Sequence, residues 1–274
     1  MGILKRILIF SLAFLFSLIS MQNCSSSSSD PVNSQNENFP HSDGNTYFKS
    51  TEKVVIEVYY EPGAEPYDGA MGSGKFYWEI LQDNLGAIFQ FRSAAPELVV
   101  PKVLSDMTAI PAQGKTDWTS AEINSLNAQF KGAESTSKEA HFYIYFLNGH
   151  FNDGETKPNT IGVSLGGTPI IAIFKDVIQD AGFLPNGPVA KFVEQSTLVH
   201  EMGHALGFVN NGVPMASPHQ DTEHGAHTTN SDCVMYWLNE GTSDLSDFVR
   251  DYISTGNTVM WGDEVLEDAK AFSQ

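Results

Sequence analysis

The chain has 274 residues, with 15 basic and 33 acidic side chains, a net charge of −18 and 41% hydrophobic residues. So acidic a surface argues against nucleic acid or anionic lipid as a partner, because both carry negative charge themselves. The length is sufficient for one large hydrophobic core. There are only two cysteines, Cys24 and Cys233, so disulfides are not expected to hold the fold.

The first residues have the pattern of an export signal. Lys5 and Arg6 precede an apolar run over residues 7–21, and Cys24 follows soon after it. The run is shorter than the roughly 20 apolar residues of a membrane-spanning helix. We therefore interpret residues 1–23 as a signal peptide of the lipoprotein type and Cys24 as the lipidated residue. An ordinary secretory signal followed by an unrelated cysteine is the alternative, and either one predicts export.

Export as a lipoprotein would anchor the chain to a bacterial membrane or cell surface. Without residues 1–23 it has 13 basic and 33 acidic side chains, a net charge of −20. Residues 24–50 are rich in Ser, Asn, Asp and Pro and predict a flexible stalk. Residues 51–274 are then expected to form one folded domain.

The first half of this domain mixes strand and helix patterns. Residues 54–60 are dense in β-formers and predict a strand, and residues 63–74 predict a loop. Apolar residues at helical spacing predict a helix over 75–92. Residues 98–103 predict an edge strand, because Pro101 lacks a backbone donor. A capping box at the start of residues 119–130 predicts a second helix.

The second half continues with strands and ends in helices. Residues 141–147 predict a strand, and residues 148–159 a polar loop. Two short strands joined by a tight turn are expected over 161–165 and 170–174. A helix is predicted over 188–206, with Pro188 in its first turn and Gly207 at its end. A terminal helix is predicted over 264–272.

The predicted helix over 188–206 contains the motif HExxH, formed by His200, Glu201 and His204. Residues four apart lie on one face of a helix, so the two imidazoles can bind a single zinc ion at about 2 Å. Glu201 then lies beside the metal, where its carboxylate can take a proton from zinc-bound water and deliver it to a leaving amine. The expected cofactor is one zinc ion.

The run from His200 to Gly207 resembles the start of the metzincin signature HExxHxxGxxH, and residues 233–236 resemble the Met-turn of that clan, with Met235 as its methionine. The resemblance covers about residues 197–237. It implies an α+β fold with a single catalytic domain. Such a domain has a mixed twisted sheet of about five strands, an active-site helix, a Met-turn and a C-terminal helix. An edge strand, here residues 161–165, lines the cleft and binds extended peptide, although a plain edge hairpin would give the same pattern.

The sequence departs from the clan at the third ligand, where Asn210 replaces histidine. A neutral amide is a poor zinc ligand. Archaemetzincins space the third histidine from the Met-turn as H-C-x4-C-x-M. His227 and Met235 have this spacing, with Thr228 in place of the first cysteine. The resemblance therefore implies His227 as the third ligand and residues 209–226 as an insertion.

Other residues of the insertion compete for the third coordination position. They are His224, His219 and Asp221, or another carboxylate such as Glu223. His219 and His224 could also orient ligand imidazoles through hydrogen bonds, or decorate a loop.

The expected function is a zinc-dependent endopeptidase that hydrolyses extracytoplasmic proteins with metal-activated water. Its partner would be a polypeptide substrate, with no nucleic acid, and the chain would act as a monomer anchored to the membrane by lipid. A non-catalytic binding or adhesion lipoprotein on the same scaffold is one alternative. A zinc-scavenging lipoprotein is another, since a histidine-rich loop could buffer the ion.

Overall fold

A six-stranded sheet forms the centre of the described chain. The computed structural model describes residues 43–274, without the side chains of residues 242–244. The predicted signal peptide, Cys24 and most of the predicted stalk lie outside these residues. The strands are β1 (Lys53–Tyr60), β2 (Glu97–Val99), β3 (Thr108–Ala109), β4 (Asp117–Trp118), β5 (Glu139–Leu147), β6 (His150–Asn152), β7 (Thr156–Lys157), β8 (Gly162–Ser164) and β9 (Ile170–Phe174).

The strand order in this sheet is β2-β1-β5-β9-β8, and β3 also pairs with β1. Every pairing is parallel except that of β8, which runs antiparallel to β9 at the edge. Residues 140–147 of β5 are all buried, as expected for a central parallel strand covered on both faces. The prediction of a mixed sheet of about five strands is confirmed. A separate small sheet has the order β4-β6-β7.

Six α-helices in residues 43–274 pack against the sheet or against one another. None of the helices in residues 43–274 has the length and apolar character that crossing a bilayer requires. The helices are α1 (Glu79–Phe89), α2 (Ser120–Phe130), α3 (Lys175–Asp180), α4 (Pro188–Leu206), α5 (Thr242–Thr255) and α6 (Asp263–Phe272), with shorter helical turns at Thr46–Ser50, Leu104–Asp106 and Trp237–Glu240.

Helix α4 positions the candidate site, and its predicted bounds are confirmed. Pro188 occupies the first turn, and Gly207 ends the helix at φ 90°, in the left-handed region that glycine adopts without strain. The helix packs against α1, α3, α5 and the strands β8 and β9. Since both its sides are covered, all residues from 192 to 203 are buried.

Residues 46–50, immediately before β1, form a helical turn, contrary to the flexible stalk expected up to residue 50. Tyr47 and Phe48 are buried, and the Phe48 ring lies 5.5–5.7 Å from the rings of Phe89, Phe208 and Phe272. These two aromatic side chains bury enough apolar surface to fix a segment whose other residues are mostly polar. The folded domain therefore begins before residue 51.

Several other local predictions need correction. Helix α1 begins at Glu79 rather than at residue 75, because residues 70–76 form a turn closed by the Ala70–Phe76 bridge. The predicted loop over 148–159 contains β6 and β7. The sequence patterns predicted neither α3 nor α5.

Candidate metal centre

Three imidazoles converge at the C-terminal half of α4. His200 and His204 come from successive turns of the helix, and His227 comes from the segment that follows the insertion. The His204 Nε2 atom lies 3.1 Å from His200 Nε2 and 3.2 Å from His227 Nε2, and the last two lie 3.3 Å apart. Zinc–nitrogen bonds of about 2.0–2.1 Å in a tetrahedron separate two ligand nitrogens by about 3.3–3.4 Å. The triangle of nitrogens therefore matches one face of a zinc tetrahedron.

The hydrogen bonds made by the Nδ1 atoms of two of these rings also favour a cation between the Nε2 atoms. The Nδ1–H of His200 donates to the Val234 carbonyl at 2.7 Å, and that of His227 donates to the His224 carbonyl at 2.5 Å. Each neutral ring then carries a lone pair, not a proton, on Nε2. Two lone pairs 3.3 Å apart cannot hydrogen-bond each other, so these residues fit a cation placed between them.

Burial keeps two of the imidazoles neutral. It lowers the pKa of His200 to about 4, with help from the nearby His227, and it holds the pKa of His204 well below the usual range. Burial also opposes protonation of His227. There the Glu240 carboxylate and the His224 carbonyl outweigh burial, so the pKa of His227 is raised. His200 and His204 are thus available as neutral ligands at neutral pH.

A carboxylate completes the cluster. Glu240 lies at the end of the helical turn Trp237–Glu240, and its Oε1 atom is 3.1 Å from His227 Nε2. One ligand atom from each of His200, His204, His227 and Glu240 lies within 4.8 Å of the others. No motif or residue spacing in the sequence predicted Glu240 at this site.

Glu201 lies between the helix and the edge strand β8. Its carboxylate accepts the backbone N–H of Ser164, and burial, together with the Glu240 charge, raises its pKa to about 8. Strand β8 runs very close to α4 here: a Cβ atom on Gly162 would lie 3.0 Å from the Glu201 Cγ atom and 2.7 Å from the Thr197 Cγ2 atom. The sequence predicted Glu201 at the site but not this contact with Ser164.

Met235 is fully buried and lies directly against α4. A Cβ atom on Gly203 would lie 2.3 Å from the Met235 Sδ atom, so any larger residue at that helix position must displace the Met235 side chain. The buried side chain of Asn239 donates to the carbonyls of Cys233 and Val234. The Val234 carbonyl thus accepts hydrogen bonds from both Asn239 and His200. These bonds connect the segment 233–239 to the first histidine.

The structure also places the competing residues of the insertion. The His219 ring bonds Asp268 Oδ2 at 2.8 Å and Thr228 Oγ1 at 3.2 Å, away from the three histidines. The Nδ1 atom of His224 contacts Asp221 at 2.7 Å, and the His224 ring stacks on Trp237 at 4.0 Å. None of these three insertion residues belongs to the group of His200, His204, His227 and Glu240 that could hold a metal ion.

Asn210 lies outside the cluster as well. It has a φ of 60°, which asparagine tolerates better than most residues, and its amide donates to the Gln220 side chain at 3.2 Å. Val209 before it is also left-handed, at φ 55°. The chain therefore turns away from the candidate metal-binding group immediately after α4, and the imidazole of His227, from later in the sequence, completes the triangle of nitrogens.

Comparison with known proteins finds similarity among solved structures. No protein-family model matches the sequence, and no curated protein matches it. The crystal structure of a zinc-dependent peptidase from Methanocorpusculum labreanum (strain Z) is similar over 80% of this chain and 100% of that chain, with 11% sequence identity and a TM-score of 0.40. This similarity is too weak to carry a conclusion about function.

Proposed function

We propose that the protein is a zinc-dependent endopeptidase that hydrolyses peptide bonds of extracytoplasmic proteins. One observation carries the proposal: three imidazole Nε2 atoms lie 3.1–3.3 Å apart, and Glu201 follows the first of them on the same helix. His200, His204 and His227 would hold the ion. Asn210, His219, His224 and Asp221 would not.

Zinc, when bound, supplies a Lewis acid that polarises a carbonyl and lowers the pKa of water to about 7. The role of Glu201 is proton transfer: its carboxylate takes a proton from the attacking water and passes it to the leaving amine. This role needs an ionised carboxylate. A dication among the three imidazoles favours the ionised form and opposes the effect of burial on its pKa.

The free edge of β8 supports an extended polypeptide as the substrate. Ile161 and Leu165 bond to β9, so alternation along the strand turns the backbone groups of Gly162 and Ser164 outward. Ser164 contacts Glu201 from this outward edge. A peptide added to β8 as a further strand would therefore pass directly beside the proposed proton-transfer group.

We further propose that the domain is of the metzincin type, with Met235 as its Met-turn methionine. The support is the sequence pattern from His200 to Gly207 together with the burial of Met235 against Gly203 of the same helix. Export, lipid attachment at Cys24 and action as an anchored monomer rest on the sequence alone, since Cys24 lies outside the described residues.

The test compares wild type with Glu201→Gln on a mixed peptide library, with zinc content measured for each protein. We expect both to hold one zinc per chain and the variant to lose at least about 100-fold in cleavage rate, the usual contribution of a general base. His227→Ala should lose zinc affinity, whereas His224→Ala, removing an imidazole outside the triangle, should keep it.

Two results would overturn this function. Wild type that holds a full zinc ion but cleaves nothing would favour the binding or adhesion alternative. Several loosely held zinc ions per chain would favour the scavenging alternative. Residues 43–274 contain one group of three or more possible metal ligands, which supports a single ion.

A further inference from the structure

Glu240 is the fourth member of the cluster and has no part in the proposed hydrolysis. Its side chain is 54% exposed, yet its Oε1 atom lies 3.1 Å from His227 Nε2. Among the described residues its ion pair is with His227, and no Lys or Arg side chain pairs with it. A half-exposed carboxylate beside the Nε2 lone pair of a neutral His227 is an arrangement that a cation between them would stabilise.

The backbone that carries Glu240 is fixed to the site. The preceding residue, Asn239, is buried and donates to the Cys233 and Val234 carbonyls at 3.1 and 3.2 Å. The Val234 carbonyl also orients His200. At the other end of the turn, Trp237 stacks on His224, whose carbonyl orients His227. Glu240 is therefore attached to the same groups that orient two of the ligands.

We propose that Glu240 is a displaceable fourth ligand, which closes the metal centre in the resting protein. This inference rests on the proposed function, because it assumes a metal at His200, His204 and His227. A catalytic zinc site needs an open position for water or substrate. Glu240 occupies that position until its carboxylate swings into the solvent, which its exposed side chain permits.

The experiment uses the full chain loaded with Co²⁺, whose visible spectrum reports coordination, and titrates it with azide as a probe for an open position. Three variants are compared with wild type. Glu240→Gln removes the charge and keeps the shape of the side chain. Glu240→Asp keeps the charge but shortens the reach by one methylene. Glu223→Gln removes an exposed carboxylate from the segment before His227 and is the matched control.

We expect wild type and Glu223→Gln to share one spectrum and to bind azide weakly. Both Glu240 variants should have an altered cobalt spectrum, and azide should bind at a concentration at least about tenfold lower, the size of effect that lost partners have on metal sites. The Asp variant separates ligation from charge. If it behaved as wild type while the Gln variant changed, Glu240 would act through charge alone and the inference would be wrong.

The inference and the proposed function fail in different ways. Wild type that takes up no cobalt would overturn both. A wild type that binds cobalt and cleaves peptides, with four proteins that titrate alike with azide, would overturn the role of Glu240 and leave the endopeptidase intact.

Discussion

Gly203→Ala is the substitution that most directly tests how the cluster is supported. Gly203 lies on α4 between His200 and His204, and its missing side chain makes room for Met235. An added Cβ atom would lie 2.3 Å from Met235 Sδ, 3.1 Å from Met235 Cε and 3.1 Å from Trp261 Cζ3. Since ordinary contacts begin at about 3.4 Å, the Met235 sulfur must retreat by about 1 Å.

Two opposing contributions decide the change in unfolding free energy. Alanine favours a helix interior over glycine by about 1 kcal/mol. Overpacking a filled core costs about 1–3 kcal/mol, and here the displaced atoms are fully buried. We therefore expect a net loss of up to about 2 kcal/mol. Because Met235 adjoins Val234, whose carbonyl orients His200, zinc affinity should also fall, by about tenfold.

The assay is urea unfolding of the metal-free proteins, with chelator competition for zinc affinity. Gly86→Ala is the matched control, because Gly86 lies inside α1 and a Cβ there would meet nothing within 4 Å. This control should gain up to about 1 kcal/mol. In a Met235→Ala background the cost of Gly203→Ala should shrink markedly. If Gly203→Ala stabilised the protein as the control does, Met235 would not pack against α4 as described.

Two further predictions concern the unfolding free energy and residues outside the candidate metal centre. The buried Gln195 amide has no hydrogen-bond partner for either polar atom, so Gln195→Met should raise the unfolding free energy in urea by about 1–3 kcal/mol; a decrease would mean that the amide is bonded in solution. Burial raises the pKa of Glu57, but hydrogen bonds from His141, Tyr59 and two backbone amides outweigh burial and lower it to about 2, while Glu57 raises the pKa of His141 above 6.5. The Glu57 contribution is full above pH 4.5 and disappears as pH falls towards 2, and the His141 contribution is full below pH 6.5 and disappears as pH rises through its folded pKa. Wild type should therefore lose more unfolding free energy than Glu57→Gln between pH 5 and pH 3, and equal losses would contradict this.

The parts of the fold that sequence predicts well are those in which local chemistry and packing agree. Pro188 and Gly207 give α4 its ends, and Thr119 with Glu122 forms the capping box that begins α2. The four-residue spacing of His200 and His204 predicts two imidazoles on one face of the helix, and the structure brings their Nε2 atoms to 3.1 Å. The convergence of His227 with them was implied only by its distance from Met235 in the resemblance.

The parts that sequence does not predict depend on contacts between distant segments. Glu240 faces His227 only because Asn239 binds carbonyls five and six residues before it, which no periodicity reveals. Ser164 contacts Glu201 through its backbone, so its residue type carries no signal. In the short segment at 46–50, two aromatic side chains outweigh a polar composition.

The role of His219, in the segment 209–226, is not evident from the sequence and is explained by its contacts in the structure. In the sequence, His219 competes with His227 as the third ligand, because both are histidines that follow α4 and precede Met235. In the structure, the buried Asp268 of α6 binds the Ala216 amide at 2.6 Å and the His219 ring at 2.8 Å. The Thr229 amide in turn donates to the His219 carbonyl at 2.9 Å. His219 therefore fixes the start of the segment that presents His227, and the acidic residue that makes this possible lies 49 positions later in the chain.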